Sequence, residues 1–147
     1  MFLSFRGEDT RNNFTDHLYR ALHQNGIITF KDDKRLERGT KISSELTRAI
    51  EESRFSIVIF SKDYASSTWC LEELAKIVEC VDTMNHTVIP VFYDVEEYDV
   101  RKQKREFKKA FDKHQQNPNI DSDKIQRWRT ARTSYQYCWR FYIGRQV

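Results

Sequence analysis

The sequence predicts an α/β fold, a parallel sheet wrapped by helices on both faces. Two observations carry the prediction. Short apolar runs alternate along the chain with segments of helical periodicity. One of those runs, "FSIVIF", is apolar at nearly every position, the mark of a strand covered on both sides.

Taken in order, Phe2 to Phe5 ("FLSF") forms a short first strand. Phe14, Leu18, Ala21 and Leu22 make the apolar stripe of a helix from Arg11 to Asn25, and Asn25 with Gly26 supplies its stop signal. Ile27 to Phe30 ("IITF") is the second strand. The polar stretch Lys31 to Thr40 has no periodic apolar set and reads as a long exposed loop. Ile42, Leu46, Ala49 and Ile50 define the second helix, Phe55 to Phe60 the third strand, and Cys70, Leu71, Leu74, Ile77, Val78 and Val81 the third helix. Thr87 to Tyr93 is the fourth strand, where Pro90 predicts an edge or a bulge because proline donates no ladder hydrogen bond. Helices near Lys104 to Gln115 and Asp123 to Arg132 complete the chain.

At 147 residues, this is one domain with enough length to bury a core. No apolar run approaches the roughly 20 residues that span a bilayer, so the expectation is a soluble protein with no membrane partner. "FLSF" followed by "RGED" reads as a strand and its turn, with no targeting signal. Cys70, Cys80 and Cys138 form no CxxC pair and no metal-ligand spacing with the histidines. The expectation is therefore a reducing cytoplasm, with the nucleus left open, and neither disulfide nor metal. The net charge is +3, and its basic excess gathers in Arg101 to His114. There Phe107, Ala110, Phe111 and His114 fall at helical spacing, which makes the lysines a solvated face and disfavours nucleic acid.

In parallel sheets ligands bind beyond the carboxyl ends of the strands, which directs attention to "SFRGEDTR", "KDDKRLERGT", "SKDYASSTWC" and "DVEEYDVRKQ". The stripe of the third helix centres near Leu74 and Val81. Glu72 then points away from the core as a solvated glutamate, while Glu73 lies on the flank, beside Cys70 and one turn from Trp69, where it can reach over the crevice. Both sit near a helix N-terminus, where the macrodipole favours the ionised form by about 0.3 to 1 kcal/mol. Acidic residues are common in first turns for that reason alone, and Trp69 reads as a lid on the core, so spacing by itself favours the structural reading without settling it.

Read together, "FLSFRGEDTR", "GIITFKDD", "LERG", "AIEESRFSIVIFSKDYASSTWCLEEL", "VIPVFYDV" and "DVRKQ" resemble the Toll/interleukin-1 receptor (TIR) domain of plant intracellular immune receptors, over about residues 1 to 129. The resemblance implies a flavodoxin-like three-layer sandwich around a central parallel sheet of five strands, of which four are evident. It implies an NAD⁺ glycohydrolase of plant innate immunity that acts on self-association. The family's catalytic glutamate precedes the final leucine of W-C-L-x-E-L, which falls on Glu73, the same residue that the helix geometry selects. Carried over as nucleotide contacts are the loop Arg6, Gly7, Glu8, Asp9, Thr10 and Arg11, together with Gly39. Ser67 is placed near the site and Trp69 as a stacking surface. Glu8 and Asp9 would repel phosphates unless turned away, and for Asp9 the favoured reading is a cap on the following helix. Asp16 and His17 match a surface for binding other TIR domains, although a solvated flank explains His17 equally. The loop Lys31 to Thr40 resembles the one that completes a neighbouring subunit's site.

Departures from the family are also expected to matter. The first strand begins late, with Met1 where valine is usual, and "EEYDVR" lacks the usual proline. Residues from about 130 to 147 form an atypical tail in place of an alanine- and leucine-rich helix, and Arg132 breaks the stripe of Ile125 and Trp128, so the last helix is expected to end early. The pattern suggests a TIR-only product or a truncated receptor. Two other classes compete with the enzyme: a non-catalytic TIR adaptor, and a phosphoryl-accepting receiver, which Asp63 suits poorly because it is offset from the strand end. A related family activity, making cyclic nucleotides from nucleic acid, is left open.

Overall fold

A computed structural model describes residues 1–31, 44–102 and 104–134. The apolar runs Phe2–Phe5 (β1), Phe30–Lys31 (β2), Phe55–Phe60 (β3) and Thr87–Phe92 (β4) pair in parallel in the order β2-β1-β3-β4. Their register is tight: Phe2 to Phe5 of β1 lie opposite Ser56 to Ile59 of β3, and Ile57 of β3 lies opposite Ile89 of β4. All four residues of β1 and the last five of β3 are buried, as an apolar run covered on both faces requires.

Side-chain alternation divides the core in two. Phe2, Val58, Phe60 and Val88 face the larger cluster, which is closed by α3 (Ser44–Glu52), α4 (Thr68–Met84), α6 (Glu106–Gln116) and α7 (Ser122–Ser134). Leu3, Phe5, Ile57 and Ile59 face the opposite side, against Phe14 and against Leu18, Tyr19 and Leu22 of α2 (Asp16–Gln24). The chain enters α2 through a short helix, α1 (Gly7–Thr10), and a π-helical turn, Arg11–Thr15. It leaves through Asn25 and Gly26. Gly26 takes φ +74, a left-handed conformation that suits glycine and stops the helix as expected.

Three expectations need correction. The second strand is confined to Phe30–Lys31, where the sequence predicted Ile27 to Phe30. Ile28 is 91% exposed, so half of this short pattern never enters the core and gains nothing from sheet pairing. The backbone of α7 continues to Ser134 in spite of Arg132. A further helix, α5 (Glu97–Lys102), follows β4 where none was predicted. Pro90, by contrast, sits as expected on an edge, because β4 is the terminal strand of the described sheet; it stays in register with Val58, without a bulge.

Candidate active site

β1 and β3 are neighbours, yet their connections run to opposite sides of the sheet, so a crevice opens at their carboxyl ends. Three segments meet there: Arg6 and α1 after β1, Ser61 to Asp63 after β3, and the beginning of α4. The start of α4 is set by Ser67, which adopts an extended backbone and accepts a hydrogen bond from Cys70 N–H on its side-chain oxygen at 3.2 Å. This is an N-cap, the local reason that the helix begins at Thr68. Ser67 itself is buried. Trp69 is half-buried at the margin of the larger core cluster.

Glu73 lies in the second turn of α4 and is only 3% exposed. A carboxylate so removed from water is uncommon in a protein interior, because burying the charge is costly unless the fold compensates it. The helix macrodipole contributes little to that compensation here, since its effect fades beyond the first turn. The neighbouring Tyr64 is fully buried in a 3₁₀ turn, Tyr64–Ser66. Burial pushes its phenol well above its ordinary pKa, and the Cys70 and Glu73 charges push in the same direction against a hydrogen bond from Ser4.

The loop after β1 is tied down across the crevice. Arg6 donates from Nη1 to the Asp63 carbonyl at 3.2 Å, and its Nε lies 3.8 Å from Asp9 Oδ1. Asp9 Oδ2 accepts from Ser61 Oγ at 2.5 Å and from Asp63 N–H at 3.1 Å. Asp9 sits inside α1 and its bonds reach over to the loop after β3, which corrects the expected cap on the following helix. Thr10 is buried, with its hydroxyl 2.7 Å from that of Thr15. Gly7 opens α1. The side chains of Glu8 and Arg11 lie outside the described residues, as do Gly39 and residues 32–43. Of the loop Lys31 to Thr40 only Lys31 is described, its ammonium 4.4 Å above the Tyr19 ring.

Glu72 is the clearest correction. It is not solvated: Oε1 accepts from Trp128 Nε1 at 2.9 Å and lies 3.6 Å from Lys124 Nζ, with both charged side chains mostly shielded. Docking of α7 on α4 covers this face, and helical periodicity within α4 carries no signal of it. The same helix layer fixes the 3₁₀ turn, for His114 Nε2 lies 2.8 Å from the Ala65 carbonyl and its ring meets Trp128 edge-on. On the far side of the sheet, Asp16 pairs with Arg20 at 3.3 Å and His17 is exposed. Tyr64 and Ser61 were missed from the sequence. The signal for Tyr64 was its place between a strand end and a helix cap, and Ser61 had none. Beside the crevice, past β3 and β4, lies an open cleft of about 460 Å³ lined in part by Lys62, Asp94, Glu96, Asp99 and Arg105.

A parallel sheet with helices on both faces and a buried acid beside its switch point defines a doubly wound α/β domain with a site at the strand ends. The particular family follows from comparison: the model of the TIR domain matches residues 1–141, and the chain belongs to that family. It is 58% identical over 131 residues to the TMV resistance protein N of Nicotiana glutinosa, covering 89% of this chain and 12% of that protein. It is 57% identical over 133 residues to the disease resistance protein RPV1 of Vitis rotundifolia, covering 90% and 9%. The chain therefore spans about a tenth of the length of these relatives. Among solved structures, the TIR domains of the activated Roq1 resistosome, described as directly recognizing the pathogen effector XopQ, superpose with a TM-score of 0.84 at 53% identity, over 98% of this chain and 90% of that one. No helix among the described residues is long and apolar enough to cross a membrane.

Proposed function

We propose that this domain is an NAD⁺ glycohydrolase of plant innate-immune signalling, cleaving the bond between nicotinamide and ribose when the domain self-associates. The observation that carries the proposal is the carboxylate of Glu73, buried in α4 beside the crevice at the ends of β1 and β3.

The chemistry makes one carboxylate sufficient. Nicotinamide leaves a pyridinium as a neutral base, so no general acid has to protonate it, unlike the leaving group of an ordinary glycoside. The step that needs help is growth of positive charge on the ribose. An anion held in place, away from bulk water, stabilises that charge more than a solvated one would, because it need not reorganise. Glu73 takes this role, oriented toward the ribose hydroxyls.

The surrounding groups suit the rest of the substrate. Trp69 offers a ring face for a base, and Ser67 holds the first turn of α4 in place. Arg6 supplies positive charge for the pyrophosphate; Asp9 Oδ2 is engaged by Ser61 and Asp63, while Asp9 Oδ1, 3.8 Å from Arg6 Nε, offsets part of that charge. Thr10, buried against Thr15, acts on the loop's shape. Gly7, Glu8, Arg11 and Gly39 complete the nucleotide contacts in this reading. Self-association, and binding to other TIR domains, uses α2 through Asp16 and His17 together with the loop Lys31 to Thr40. Weak assembly of this kind makes the activity rise steeply with protein concentration. This reading places the domain in the cytoplasm, with the nucleus left open.

The test is to incubate concentrated protein with NAD⁺ and follow nicotinamide by chromatography, beside Glu73→Ala. Release that disappears in the variant supports the enzyme. Equal release from both, or none from the wild type at any concentration, removes the enzymatic reading and leaves a TIR adaptor.

A further inference from the structure

We propose that Tyr64 is a positioning residue for Glu73, an inference that rests on the glycohydrolase reading of the site. Tyr64 is fully buried at the crevice end of the sheet. Its hydroxyl donates to the Cys70 carbonyl at 3.1 Å and lies 2.8 Å from Ser4 Oγ. A phenol has one proton, and with that proton given to Cys70 the Ser4 hydroxyl must be the donor in the second bond. The directions are therefore fixed, and one oxygen links β1 to the first turn of α4.

The next turn carries the catalytic candidate, Glu73. Cys70 is one turn before Glu73 on the same helix, and the Cys70 amide is itself held by Ser67 Oγ at 3.2 Å. The Cys70 thiol lies 3.5 Å from the Phe5 carbonyl, a second and weaker tie from the helix to β1. Tyr64 is fixed in turn: its ring packs edge-on against Phe60 with centroids 5.2 Å apart, and its 3₁₀ turn is held by His114 at the Ala65 carbonyl. The linkage sets how far the start of α4 stands from β1, and so where the next turn places Glu73 relative to the carboxyl ends of β1 and β3. Its hydroxyl does not have to touch substrate to do this.

Aim matters because a displacement of about 1 Å at a reacting group can lower a rate by as much as roughly a hundredfold. Tyr64→Phe deletes the linking oxygen and keeps the ring. A purely structural tyrosine would lose stability on that change without a specific effect on turnover. Ser56→Ala provides the control, since it breaks another buried bond, Ser56 Oγ to His86 Nε2 at 2.7 Å, at the opposite end of β3.

The experiment measures kcat and KM for nicotinamide release in wild type, Tyr64→Phe and Ser56→Ala at equal protein concentration, well below their unfolding temperatures. Amide hydrogen exchange at residues 71–74 is followed in parallel. The expected result is a fall in kcat of at least about tenfold for Tyr64→Phe, with KM within about twofold and faster exchange at the start of α4. Ser56→Ala should lose comparable thermal stability and keep its kcat. An active wild type with unchanged kcat in Tyr64→Phe, or equal losses of kcat in both variants, overturns the positioning role alone. A wild type that releases no more nicotinamide than Glu73→Ala overturns the parent reading and this role together.

Discussion

Replacing Glu72 by alanine separates two adjacent glutamates that look alike in the sequence. Glu72 Oε1 accepts the indole N–H of Trp128 at 2.9 Å, and Trp128 is fully buried. Without that acceptor, a buried donor is left unsatisfied, at a cost of about 1 to 3 kcal/mol. Lys124, 3.6 Å from the same oxygen, also loses its mostly shielded partner, adding roughly 0.5 to 1 kcal/mol. The total is about 1.5 to 4 kcal/mol, which for a domain of this size lowers Tm by about 4 to 15 °C. Glu72→Gln keeps an oxygen for the indole, so its loss should be less than half as large. Thermal unfolding followed by circular dichroism reads both. A Tm for Glu72→Ala within about 1 °C of wild type would refute the claim that α7 is fastened to α4 through this carboxylate.

Other consequences follow from the same structure. Leu74→Ala should cost about 2 to 5 kcal/mol in urea unfolding, because Leu74 is 1% exposed within the larger core. Gly26→Ala should cost about 1 to 2 kcal/mol by the same measurement: a Cβ there meets nothing within 4 Å, so the penalty comes only from φ +74. Stability should fall as pH drops below about 6.5, since burial holds the His86 and His114 pKa values below the ordinary histidine value. The unfolded chain then binds more protons than the folded one, so their neutral forms contribute stability above that pH and lose it as pH falls through the depressed values. Urea midpoints between pH 7.5 and 5 should show this slope, and a His86→Asn, His114→Asn double variant should flatten it.

Elements that obey one local rule were legible in the sequence. β1, β3 and β4 announce themselves as apolar runs, and Asn25 with Gly26 marks a helix end that the backbone confirms. The place of Glu73 beside the core stripe was legible in helical periodicity, whereas its proposed role came from the resemblance of the motif around it. The features that were not legible depend on groups distant in the chain. Glu72 is held by residues more than fifty positions away, and Asp9 by Ser61 and Asp63 at similar range. Helical spacing describes one helix by itself, so it could assign Glu72 only to solvent. β2 was overestimated for a related reason: Ile27 and Ile28 carry the apolar pattern of a strand, but at the sheet edge no layer covers them.

The most direct test sets Glu72→Gln beside Glu73→Gln, with NAD⁺ consumption measured at one high protein concentration. Glu73→Gln removes only the charge from a side chain of the same size. The account predicts that Glu73→Gln abolishes cleavage while remaining folded, and that Glu72→Gln, although less stable, cleaves at close to the wild-type rate. Cleavage retained by Glu73→Gln, or lost equally from both variants while both are folded, would contradict it.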